Sequence, residues 1–243
     1  MLWFRGRAFS TADAVLNMGY GGQAAGYGLV DVLFNDPEGP SGKLTVTYYK
    51  PEQLGSIVDC ECSNDRLRLS PVVLLTRLPL STDNMSAGQK TYKWLSTEPF
   101  YPFGYGLSYS TFGYSELVVS PASAADPCAE VVVTVLVTNT GHLPAAEIAQ
   151  LYIHPVDPAL TTAANPKLID FGRTPTLAPG ASAPLSFIVT PEHCSVVEDY
   201  DHSQQVPAGA WTLSVGGGQP AASGGLHGRI SNQGRGPLAK CGK

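Results

Sequence analysis

Carboxylates, histidines and cysteines are the side chains here that could carry acid–base, nucleophilic or metal chemistry, and their spacing limits what each can do. Asp36 and Glu38 lie in Asn35-Asp36-Pro37-Glu38-Gly39, a turn composition in which short polar side chains bond to the backbone. Asp31 sits on the helical pattern just before it. Glu98 precedes Pro99 beside an aromatic run and could face a cleft, but a solvated loop acid is the plainer reading. Glu198, Asp199 and Asp201 form a local acidic cluster that reads as a solvated turn rather than a cation loop. His142, His154, His193, His202 and His227 are scattered, with no i,i+4 pair and no Ser or Cys partner suggested by spacing. No residue earns a catalytic assignment, and no cofactor or metal is expected.

The five cysteines, Cys60, Cys62, Cys128, Cys194 and Cys241, are an odd count. Cys60 and Cys62 are separated by one residue and no histidine pair follows, which is not a zinc spacing. Cys128 and Cys194 form a disulfide if their strands lie together; a buried free thiol is the competing reading for each. Asn84-Met85-Ser86 is a glycosylation sequon, with consequences only in an exported protein.

The elements that would position these groups follow from periodicity. Residues 22–34, GQAAGYGLVDVLF, place Ala25, Leu29, Val32 and Leu33 on one helical face, and Asn35-Asp36-Pro37 stops the helix. KLTVTYY, residues 43–49, alternates like a strand. Residues 55–78 fit neither period. YPFGYGLSYSTF, residues 101–112, holds five aromatic residues and no charge, yet its proline and glycines forbid a long helix or an uninterrupted strand. Beyond Phe112 helical periodicity disappears. Strands are expected at 115–119, 130–139, 148–153, 168–171, 184–189, 194–197 and 211–215, about seven over roughly 100 residues, the size and spacing of an immunoglobulin-like sandwich. Residues 218–243, rich in glycine, read as a loose tail.

Composition excludes several classes. With 43% hydrophobic and 14% charged residues the chain has material for a core and too little charge for a disordered chain. A net charge of -5 with scattered lysines and arginines gives no basic stripe, which argues against nucleic acid or an anionic membrane as partner and leaves a neutral ligand such as a sugar. No apolar run approaches the roughly 20 residues of a membrane span. MLWFRGRAFSTADAVLN lacks an apolar run followed by a small-residue cleavage site, so no signal peptide is read.

YPFGYGLSYSTF, preceded by YGGQAAGYGLVDVLFNDPEGPSGKLTVTYY, resembles the C-terminal region of glycoside hydrolase family 3, the β-glucosidases and β-xylosidases. Residues 22–26, 31–35 and 40–47 match that family's glycine-rich helix, its Asp-Val-Leu-Phe turn and its Pro-Ser-Gly strand in order. VTVLVTNTG, AEIAQLYIHP, NPKLIDFGRTPTLAPG and VPAGAWTLSVGG resemble successive segments of the fibronectin type III-like domain that ends these enzymes. The SVVEDYDHSQQVPAG spacing after Cys194 leans toward the xylosidase and arabinosidase branch. Lys43 replaces the family's Arg and Thr45 its Pro, and residues 1–17 and 55–78 lie outside the matched segments.

The resemblance implies a fold of mixed type: a remnant of an α/β sandwich over residues 1–99 with an unmatched insert near 55–78, an aromatic-glycine linker over 100–112, and a fibronectin type III-like β-sandwich over 113–217. It implies that Tyr101, Phe103, Tyr105, Tyr109 and Phe112 hold a domain interface, with Tyr101, Phe103 and Tyr105 as the candidates for sugar stacking otherwise. A retaining glycosidase needs two carboxyl groups about 5 to 5.5 Å apart. The family's nucleophile is an Asp of an N-terminal barrel, and a barrel alone takes roughly 250 residues; its acid/base Glu lies upstream of the segment that Gly22 begins. The expectation is therefore a C-terminal fragment, inactive alone, of an enzyme that hydrolyses terminal β-linked sugars outside the cell or in the cell wall, with the barrel as absent partner. The competing class is a stand-alone fibronectin-like binding module.

Overall fold

The computed structural model describes residues 14–35, 39–50, 91–161, 163–197, 203–220 and 225–241. The expected insert at 55–78, Cys60, Cys62, the Asn84 sequon, and Glu198, Asp199, Asp201 and His202 lie outside the described residues.

Strand alternation builds the larger part of the molecule. In β3 (Val131–Asn139) the odd-numbered valines 131, 133, 135 and 137 are buried while Val132 is exposed. β3 pairs antiparallel with β1 (Phe112–Ser120) on one side and β6 (Ser182–Val189) on the other, giving a three-stranded sheet. A second sheet runs in the order β2 (Ser123–Ala124), β10 (Leu226–Asn232), β9 (Gly209–Gly216), β4 (Ile148–Pro155), β5 (Lys167–Arg173). Ala149, Leu151 and Ile153 of β4, Trp211, Leu213 and Val215 of β9, and Phe187 and Val189 of β6 join the valines in one core between the sheets. Each such side chain removed from water contributes about 1.5–3 kcal/mol, so the sandwich has its own folding drive. A small third sheet, β11 (Gly236–Pro237), β8 (Gln204–Val206) and β7 (Val196–Val197), closes one end. Two 3-10 turns flank it, Pro191–Cys194 and Leu238–Lys240. The expected strand over 194–197 is thus half turn and half strand.

The C-terminal stretch is not a loose tail. β10 pairs with β9 through seven registered positions, from Leu226 opposite Val215 to Asn232 opposite Gly209, and Ile230 lies in the core. Glycine content misled the reading: Gly228 sits within the strand, where a Cβ would press on Leu117 and Val119.

Before the sandwich, α1 (Ala25–Phe34) forms as expected and ends at Asn35, whose left-handed backbone (φ 58°) lets its N–H donate to the Asp31 carbonyl. None of its residues is buried. KLTVTYY does not become a strand. It runs antiparallel to the aromatic-glycine segment and bonds to it at two ends: Leu44 N–H to Tyr105 O and Gly104 N–H to Leu44 O (2.8 and 2.7 Å), then Tyr48 N–H to Tyr101 O and Phe100 N–H to Tyr48 O (2.9 and 2.8 Å). Pro102 has no N–H to continue the ladder and Gly104 turns away at φ 77°, which leaves the single bridge Tyr48–Tyr101.

Candidate functional site

The outward face of β4 meets the residues before Phe112, and polar as well as aromatic side chains fill that seam. Gln150 and Tyr152 alternate with core-facing Leu151 and so point away from the core, yet both are buried. The Tyr152 hydroxyl donates to Gln150 Oε1 at 2.6 Å, and Gln150 Nε2 donates to Gly104 O at 2.9 Å. Gly104 is required twice over. Its φ of 77° favours glycine, and a Cβ there would collide with Gln150 Oε1 and the Tyr152 hydroxyl.

The rings complete this contact. Phe103 stacks on Tyr92 of α2 (Thr91–Trp94), with centroids 4.3 Å apart and planes 13° off parallel, and Tyr92 meets Tyr152 edge-on at 6.4 Å. Tyr101 lies between an edge contact with Tyr48 at 6.4 Å, one with Phe100 at 4.9 Å and a stack on Tyr105 at 5.5 Å. Each such pair adds about 0.5–1.5 kcal/mol beyond its buried area. Tyr109 is half exposed, its hydroxyl donating to Leu33 O, while Phe112 packs at the edge of the core. Asn165, in the β4–β5 connection, fixes α2 by donating from Nδ2 to the Tyr92 and Leu95 carbonyls, both at 2.7 Å.

Beside the rings lies an ion pair. Lys43 Nζ is 3.0 Å from Glu147 Oε1, with side chains 12% and 4% exposed, and the Tyr114 hydroxyl donates to the same oxygen at 3.1 Å. The Glu147 backbone is held too: its N–H donates to Thr174 Oγ1 and its carbonyl accepts from Thr174 N–H. Gly217 closes the site, since a Cβ there would come within 2.6 Å of Glu147 Oε1. Burial, then the Glu147 charge, push the Tyr114 hydroxyl well above the ordinary tyrosine range. Burial alone dominates the upward shifts of Tyr92 and Tyr152. These phenols stay neutral donors across the physiological range. The ring, hydrogen-bond and ion-pair contacts of this cluster join the residues before Phe112 to the sandwich.

Asp36 and Glu38 lie outside the described residues, and the other sequence candidates within them are dispersed. Glu98 is exposed and 3.6 Å from Lys50, and Asp31 is exposed on α1. Among the described residues Glu147 is the one buried carboxylate. Its signal, legible in hindsight, is a charged residue opening the apolar strand IAQLYI. No group of three or more His, Cys, Asp or Glu among the described residues could hold a metal ion. One histidine expectation needs correction: Ser214 Oγ and His227 Nδ1 lie 2.8 Å apart. They are opposite one another in the β9–β10 register, a proximity that positions 13 apart in sequence do not announce. His193 Nδ1 accepts from Thr190 N–H at 3.1 Å in a capping box.

The expected Cys128–Cys194 pairing is also corrected. Cys128 is bonded to Cys241, and Cys194 is a buried free thiol, pushed up to about 12 by burial. The 3-10 turn points Cys194 into the core, whereas Leu238–Lys240 brings Cys241 back over the loop that carries Cys128. Reading residues 218–243 as a tail removed that partner from consideration.

Comparison with known proteins fits this architecture. Residues 1–109 match the glycosyl hydrolase family 3 C-terminal domain and residues 147–219 the fibronectin type III-like domain. The first match takes in residues 1–17 and 55–78, both of which lie outside the motif-matched segments. A β-xylosidase of Formosa agariphila is 30% identical over 86% of this chain, and a periplasmic β-glucosidase of Salmonella typhimurium is 33% identical over 72%. The chain spans only 25% and 21% of their lengths. The β-D-glucoside glucohydrolase structure from Trichoderma reesei superposes with a TM-score of 0.64 at 30% identity, covering 86% of this chain and 29% of that one. β-Glucosidase 3B from Thermotoga neapolitana, solved with glucose, gives 0.66 at 25% identity, covering 89% and 28%. With two domain matches in family order and the same fold beneath them, the chain belongs to glycosyl hydrolase family 3, as its C-terminal region with the fibronectin type III-like domain.

Proposed function

We propose that these residues are the C-terminal scaffold of a glycosidase that hydrolyses terminal β-linked sugars of the xyloside or glucoside kind, and that they turn over no substrate by themselves. The observation that carries the reading is the fate of the aromatic segment. Tyr101, Phe103 and Tyr105 pack on protein rings, and the one buried carboxylate among the described residues is neutralised by Lys43. The catalytic pair that retaining chemistry needs then belongs to the portion of the longer relatives that this chain does not span. α1 supports the same view: Tyr27 and Phe34 are more than 70% exposed and Val30 and Leu33 about half, an all-round apolar helix of the kind that globular proteins bury. In the longer protein the preceding domain covers it. The Cys128–Cys241 disulfide favours an oxidising compartment, in keeping with an extracellular or cell-wall enzyme.

The test is hydrolysis of aryl β-xyloside and β-glucoside by the purified 243-residue chain, alone and with a co-expressed family 3 barrel. The expected result is no release above buffer from the chain alone and copurification with the barrel. Turnover by the chain alone removes the scaffold reading.

A further inference from the structure

Three cysteines lie at the end of the sandwich that carries β11. Asp126, Pro127 and Ala129, on both sides of Cys128, line a cavity of about 30 Å³ together with Cys194 itself. Cys241 and Leu238 line a wider groove of about 650 Å³ with Thr190, Pro191 and Glu192, the outer side of the turn that carries Cys194. Cys128 and Cys241 are half-buried and bonded, while Cys194 is reduced and buried between these two spaces. The C-terminal strap is otherwise thinly held. β11 pairs with β8 at two positions, Gly236 opposite Val206 and Pro237 opposite Gln205, and Leu238 only partly enters the core.

We infer that Cys194 is the resident exchange partner of the Cys128–Cys241 disulfide, so that this end of the sandwich is a thiol–disulfide switch that releases the C-terminal strap. Cys194 gives its proton to solvent and its thiolate attacks Cys128 Sγ. The Cys194–Cys128 bond forms as the Cys128–Cys241 bond breaks, the electron pair leaves on Cys241 Sγ, and Cys241 takes a proton from solvent. Sulfur oxidation states balance within the chain, and no outside oxidant or reductant is consumed. Cys128 is the sulfur attacked because its chain neighbours Asp126, Pro127 and Ala129 line the same small cavity as Cys194, whereas Cys241 lines the other groove. With Cys241 free, β11 and the turn after it lose their covalent tie and keep the pairing with β8 and the Leu238 contact, and the groove over Glu130, Pro191 and Glu192 opens.

The attacking thiol is held back in the closed state. Burial raises it, and Lys167 of β5 opposes that only in part; among the described residues Glu192 and His193 on its own turn, Asp126 across the cavity and Glu130 beside the outer groove are further charged or titratable groups nearby. Below that raised pKa the thiolate fraction grows about tenfold per pH unit, so exchange is slow at neutral pH and quickens in alkali.

The proposal is tested by disulfide mapping of the full chain in a C60S/C62S background, incubated under native conditions at pH 7 and pH 9 and quenched in acid. Peptides joined through Cys128 and Cys194, with Cys241 free to alkylate, are expected to accumulate about a hundredfold faster at pH 9. A second variant, Cys241→Ser, leaves Cys128 and Cys194 as the available pair and is expected to form that bond on mild oxidation while its strand signal by circular dichroism is unchanged. Only Cys128–Cys241 at both pH values, a Cys194–Cys241 bond in place of the expected one, or a folded Cys241→Ser chain that keeps two free thiols overturns the inference.

Discussion

His193 shows how one residue's environment becomes a property of the fold. Its Nδ1 accepts the Thr190 N–H, a role open only to the neutral ring. Burial, with Lys167 adding to it against Asp170 and Glu192, lowers its pKa from the ordinary 6.5. A depressed histidine pKa means that the unfolded chain binds the proton more readily. The capping contribution is therefore complete above about pH 6.5 and is lost as pH falls through that value toward the lower folded pKa. Gln at the same position keeps the capping box without titrating. Urea unfolding at pH 7.5 and 5.5 is expected to show a larger loss on acidification for the native chain than for His193→Gln; equal losses would show that the ring is not the titrating group. Such side chains are hard to read from sequence. His193 looked scattered because its partner is the backbone of Thr190, and Gln150 carries no local signal because its partner, Gly104, lies 46 residues away.

At the scale of elements, legibility followed the strength of alternation. β3, β4, β6 and β9 came through because an apolar residue recurs at every second position, so the period alone names the buried face. β10 was missed because its inward series is Leu226, Gly228, Ile230: the middle position carries no side chain, and the flanking glycines mimic a tail. KLTVTYY failed in the opposite sense. It alternates well, but a strand also needs an unbroken partner, and the segment it meets contains Pro102 and the left-handed Gly104. The reassignment of β10 has a measurable consequence. Ile230 is 5% exposed within the core, so Ile230→Ala removes buried methylenes and leaves a cavity, at a cost of about 2–5 kcal/mol in urea denaturation. A cost near zero would return these residues to the tail that composition suggests.

For the whole molecule the question is whether the residues before Phe112 and the sandwich after it unfold as one body. Family resemblance divides the chain near Phe112, yet the seam there joins Lys43 to Glu147, Gly104 to Gln150 and Tyr92 to the Leu168 N–H, contacts that no local pattern encodes. A buried ion pair is weak evidence for stability as such, because desolvation offsets much of its attraction; what is costly is leaving one charge alone. Glu147→Leu strands the Lys43 ammonium beneath Gly217 and is expected to cost about 3–5 kcal/mol, whereas Lys43→Met with Glu147→Leu recovers most of that loss. If the two parts act as one cooperative unit, the single substitution lowers a single unfolding transition and the double restores it, with a clear coupling energy in the cycle. If they are independent bodies, the cycle closes with no coupling and two transitions separate, one of which ignores both substitutions. The first outcome means that the residues before Phe112 and the sandwich move as one body, as the proposed scaffold role requires.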